Sequence, residues 1–146
     1  MAYMPYLSIK SRKNYHSDDE HLAFSDLLMP ALEDGALEVE TGFCNYLSVA
    51  QSIKAPINKG DNIHIVLWHG QLRFDQPEEA HVAISVNGAV IWEDEIEIPN
   101  DGGIYDISVP STVAADIGDQ VEYHLHNHGY NTWTLLILDV QRANGP

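Results

Sequence analysis

The stretch "HVAISVNGAVIWEDEIEIP", residues 81–99, decides the fold. Two runs rich in β-branched and aromatic residues flank Asn87-Gly88, a pair that tolerates positive φ at both central positions of a type I′ turn, so a two-residue hairpin is predicted. In the first strand Val82, Ile84 and Val86 face one way and His81, Ala83 and Ser85 the other. In the second, Ile91, Glu93 and Glu95 alternate less cleanly with Trp92, Asp94, Ile96 and Ile98.

Working outward, the same grammar repeats. "NKGDNIHIVLW" reads as a Lys-Gly-Asp turn feeding a strand from about Asn62 to Trp68. "GGIYDISVP" gives a strand through Ile104 to Val109 that Pro110 stops. "QVEYHLHN" and "NTWTLLILDVQ" form a last pair around His128-Gly129-Tyr130-Asn131, and "PYLSIK", "ALEVE" and "NYLSVAQSI" supply the remaining strands. One short N-terminal helix is predicted over Ser17–Met29. Ser17-Asp18-Asp19-Glu20 has capping-box spacing, Leu22, Leu27, Leu28 and Leu32 follow on roughly one face, and Pro30 ends it. Many short strands with regular turn signals predict an all-β chain, an antiparallel β-sandwich of jelly-roll type forming one domain over residues 1–146.

Composition narrows the function. Seven Lys plus Arg against 22 Asp plus Glu give a formal charge of −15, which repels phosphate backbones, so nucleic acid is not an expected partner. Lys10, Arg12 and Lys13 are too few for a polybasic membrane anchor, and no apolar run reaches bilayer-spanning length, so membrane insertion is not expected. A cytoplasmic chain, or a mature domain whose leader has been removed, is the expected setting. The single cysteine, Cys44, excludes an intramolecular disulfide and any Cys-rich metal framework, and reads as a small buried apolar residue.

The segment "EYHLHNHGYNTWTLLILDV", residues 122–140, carries the functional question. In a strand from about Gln120 to Asn127, Val121, Tyr123 and Leu125 form the core face. Glu122, His124 and His126 then lie on the other, with His128 following. Residues two apart are separated by roughly 6.5–7 Å, a gap two imidazoles can close onto one ion, whereas His124 and His128 are roughly 13 Å apart. A zinc or copper site would therefore use a neighbouring pair of His124, His126 and His128 with His64, His69 or His81 from another strand. The plain alternative is a polar, solvent-facing sheet. The spacing from Gly118 to His124-Leu125-His126 is similar to the opening of the first cupin motif, but Tyr130 or Asn131 stands where that motif has glutamate, and no later histidine follows.

Trp68, Trp92 and Trp133 all fall in strands or at strand ends. Trp133, within "NTWTLLIL", reads as a core anchor, and Trp92, among acidic residues, as the one expected to be partly exposed. Exposed rings flanked by Asn, Asp, Glu and His suit a sugar, since the ring covers the C–H face while polar groups hold hydroxyls. The run "YDISVPSTVAADIGDQVEYHLHNHGYNTWTLLILDVQR" resembles the closing strands of galactose-binding-like jelly-roll domains and carbohydrate-binding modules, over about the last seventy residues. That resemblance implies a loop aromatic and neighbouring amide in sugar binding, here Tyr130 and Asn131, with an acidic residue in the last strand, here Asp139, and often a structural calcium.

Catalysis has no comparable signal. No nucleophile elbow, phosphate-binding glycine loop or His-Glu-x-x-His helix occurs, and Glu93, Asp94, Glu95 and Glu97 read as a solvated face. The expected function is non-catalytic binding of a carbohydrate or small polar ligand through Tyr130, Asn131, Trp92 and Trp68. The alternatives are a His-rich metalloprotein and a structural subunit forming a homo-oligomer through its sheet edges.

Overall fold

The computed structural model describes residues 2–3, 31–33, 36–41 and 46–141. The helix predicted over Ser17–Met29, the strand predicted at "PYLSIK" and Cys44 lie outside the described residues. The regular elements among the described residues are all strands: β1 Ala2–Tyr3, β2 Ala31–Glu33, β3 Ala36–Glu40, β4 Tyr46–Ser52, β5 Asn62–His69, β6 Glu78–Val86, β7 Ala89–Ile98, β8 Gly103–Pro110, β9 Gln120–His126 and β10 Thr132–Gln141.

All pairings are antiparallel and build two sheets. The first runs β2-β3-β10-β5-β8, with β1 beside the far half of β10; the second runs β4-β9-β6-β7. From β3 onward the chain crosses between sheets at every connection except the β6–β7 hairpin, which is the interlocked order of a jelly roll. The hairpin is as the sequence predicts: Asn87 and Gly88 take φ of 50° and 84°, and Val86 pairs with Ala89. The uneven alternation of β7 has a cause. Ile84 pairs with Trp92 and Ser85 with Val90, so Ile91 is an extra residue, and this bulge puts Trp92, Asp94, Ile96 and Ile98 on the inner face.

The core lies between the sheets. Leu47 and Val49 of β4, Val121, Tyr123 and Leu125 of β9, and Val82, Ile84 and Val86 of β6 face Ile63, Ile65 and Leu67 of β5 and Trp133 and Leu135 of β10. Each large apolar side chain so buried contributes about 1.5–3 kcal/mol, enough to fix which face of every strand points inward. A one-residue slip of β9 would bury Glu122, His124 and His126 instead, so the core dictates that the imidazoles face out.

Candidate functional site

The register places the histidines of two strands together. Across the outer face of the second sheet, Tyr46 of β4 lies opposite His126 of β9, His126 opposite His81 of β6, and His81 opposite Glu95 of β7. The next row reads Ser48, His124, Ala83 and Glu93, and the one after begins Ala50, Glu122 and Ser85. Ser48, Ala50 and Ala83 are buried despite their outward positions, so a floor of small side chains lies among rings.

Those rings form a continuous series. His81 and His124 have centroids 5.0 Å apart; His124 and Tyr46 meet edge-on at 4.8 Å; Tyr46 is 6.3 Å from His126. His126 lies 4.9 Å from His128, which lies 5.6 Å from Phe74 in the β5–β6 connection. His81 Nε2 donates to Glu93 Oε2 at 2.9 Å, anchoring one end. The His124 imidazole is pushed down from 6.5 to about 4, first by burial and then by repulsion from His81, against the pull of Glu122 and Glu93. It is neutral at pH 7.

The far end of the series rests on a clasp. Asn131, buried, accepts from the Arg73 amide at 2.8 Å and donates to the His128 carbonyl at 2.9 Å. Thr41 Oγ1 donates to the Gly129 carbonyl at 2.8 Å, and Asn127 donates to Thr41 Oγ1 at the same distance. Gly129, at φ 92°, lies against the Arg73 carbonyl, where a Cβ would collide. These bonds fix His128 and Phe74 side by side and leave Tyr130 as the most exposed aromatic of the turn.

The residues expected to bind ligand are not gathered in one place. Tyr130, two residues after His128, is 81% exposed, whereas the Asn131 amide is spent on the clasp. Trp68, 42% exposed, stands on the outer face of the first sheet opposite Ile104. Trp92 is half-buried, the partial exposure expected of it, and the bulge turns it toward Tyr105 of β8 at 5.5 Å. Tyr105 donates to Asp94 at 2.7 Å there, and burial followed by the Asp94 carboxylate raises its phenol.

The six candidate metal ligands divide between the sheets. His81, His124, His126 and His128 share the second sheet's outer face. His69 is buried against Trp133 at 4.7 Å, its Nδ1 on the Gly70 carbonyl, and His64 sits on the first sheet between Asp106 at 2.7 Å and Asp139 at 3.6 Å. Among the described residues no three His, Cys, Asp or Glu side chains form a group that could hold a metal ion. Two members of the ring series were not singled out from sequence, Tyr46 and Phe74. The alternation of Tyr46 with Leu47 and Val49 is a signal that could have placed it on an outer face, but nothing local reveals that β4 lies beside β9.

No family model matches the chain, and no curated protein matches it. Among solved structures, one described as "CBM4 structure and function" is 13% identical and aligns over 89% of this chain and 92% of its own, with a TM-score of 0.46. The module TmCBM61, in complex with β-1,4-galactotriose, is 11% identical over 73% of this chain and 70% of that one, TM-score 0.40. An arabinose-bound α-L-arabinofuranosidase, MgGH51, is 10% identical over 94% of this chain but 22% of the enzyme, TM-score 0.46. Identities this low leave the binding chemistry of those proteins theirs. The solved structures similar to this chain include carbohydrate-binding modules.

Proposed function

We propose that this chain is a non-catalytic module that binds a carbohydrate on the outer face of β4-β9-β6-β7. The single observation that carries the reading is the unbroken series His81, His124, Tyr46, His126, His128 and Phe74 over a floor of small side chains. Rings spaced at this interval offer successive apolar surfaces for sugar C–H faces, while imidazole nitrogens and the carboxylates of Glu93 and Glu122 bond hydroxyls. Tyr130 extends the surface at one end. Neutral His124 suits this role, since an uncharged imidazole both donates and accepts.

The test is calorimetric titration of the full chain against neutral oligosaccharides, with Tyr46→Ala and His126→Ala beside it. Binding that weakens at least tenfold in both variants at unchanged melting temperature is the expected result; a chain that binds no saccharide, or variants that bind like the parent, would sink the reading.

The pairs His81–His124 and His126–His128, each with rings about 5 Å apart, favour one second reading, a divalent metal shared by two imidazoles. Elemental analysis of untagged protein purified without chelator separates the two. One zinc or copper per chain, lost on His126→Ala, would establish the metal reading.

A further inference from the structure

Charge on the four strands of the proposed carbohydrate face is all of one sign. β4, β6, β7 and β9 contain no Lys or Arg, while Glu79, Glu93, Glu95, Glu97 and Glu122 all occupy their outward positions. Three of these, Glu93, Glu95 and Glu97, form one row along β7. The row starts beside the rings, where Glu93 accepts from His81 and Glu95 lies opposite it. It ends in a pocket of about 550 Å³ lined by Pro77, Glu78, Glu79, Glu97, Ile98 and Pro99. A concavity of that size admits a monosaccharide unit or two. Its two exposed prolines can cover a sugar face while the carboxylates meet polar groups.

From this arrangement we infer that the face selects amine-bearing saccharides: the rings seat the sugar units, and the β7 carboxylates and the pocket take their ammonium groups. The inference rests on the carbohydrate reading and adds the ligand's charge class. An ammonium on the sugar meets opposite charge along this row, where His81 holds Glu93, and a uronate or sulfated sugar meets only like charge. Exposed ion pairs are individually weak, so two or three of them give a preference of roughly tenfold, which salt reduces.

The experiment titrates the full chain, at a mildly acidic pH that keeps the sugar amines protonated and at low ionic strength, with glucosamine oligomers, N-acetylglucosamine oligomers of equal length and oligogalacturonate. Expected are binding of the glucosamine oligomer about tenfold tighter than its acetylated counterpart, no binding of the uronate, and loss of the preference in high salt. The double variant Glu79→Gln with Glu97→Gln, at exposed positions where the fold tolerates the change, should bring the glucosamine and acetylated affinities together. Equal binding of the amine and acetylated oligomers by the parent chain, or tighter binding of the uronate, would overturn the charge selection and leave the carbohydrate reading standing. Failure of all three, and of the neutral oligosaccharides above, would overturn both. An unchanged ratio in the double variant would likewise overturn the role given to the row and pocket.

Discussion

The His124 ring stands edge-on to Tyr46, with centroids 4.8 Å apart and planes at 68°, while His81 approaches it at 5.0 Å from the neighbouring strand. An imidazole so enclosed resists protonation, its folded value being about 4 against an ordinary 6.5. The unfolded chain therefore takes the proton first as pH falls, so this contribution to stability is complete above 6.5 and is lost as pH drops through 4. With discount for solvent screening, the loss amounts to about 2 kcal/mol. Urea unfolding of the parent and His124→Gln across this range should show the parent losing its relative stability by that amount. Parallel pH profiles would contradict the assignment.

Gly129 and Gly88 both have positive φ, yet they differ in surroundings. A Cβ at Gly88 meets nothing within 4 Å, whereas one at Gly129 collides with the Arg73 carbonyl. Gly88→Ala should thus cost only the backbone term, about 1–2 kcal/mol. Gly129→Ala adds a steric clash and should cost about 3 kcal/mol or more. Chemical denaturation of the two variants side by side tests the ranking.

Asn131→Ala removes the acceptor of the Arg73 amide and the donor to the His128 carbonyl inside a buried turn. Destabilisation of about 1–3 kcal/mol follows from stranding those backbone groups. Because the clasp also sets His128 against Phe74, saccharide affinity should fall as well, whereas Tyr130→Ala should weaken binding without changing the melting temperature.

Asp139 is buried on the first sheet, and one of its carboxylate oxygens makes no hydrogen bond. Burial raises its ionisation above the ordinary carboxylate range, against the pull of His64. A raised acid favours the folded state below its unfolded value and loses that contribution as pH rises through its folded one. Asp139→Asn should therefore be more stable than the parent at neutral pH, with the advantage vanishing in acid. Equal melting temperatures at neutral pH would refute this.

The strand pattern was legible because each signal is local. Asn87-Gly88 makes its turn from its own backbone preferences, and Val121, Tyr123 and Leu125 alternate with Glu122, His124 and His126 because a strand has period two. Signals of this kind, repeated along the chain, gave the sandwich, and the alternation in β9 gave the outward-facing imidazoles. The bulge at Ile91 was not legible: its extra residue is defined only against β6, and it is what sets Trp92 half-buried beside Tyr105.

Partner strands were likewise beyond local reading. Crossing between sheets brings β4 and β6 to either side of β9, so Tyr46 and His81 join His124 although 78 and 43 residues separate them from it in the sequence. The same crossings send His64 and His69 to the other sheet. The sequence by itself determined strands β3 to β10 and, for β9, which side faces water, since turn chemistry and apolar alternation act within a few residues. Only the tertiary structure decided which outward side chains share a face, because that depends on sheet order and register, which are set by packing the whole core at once.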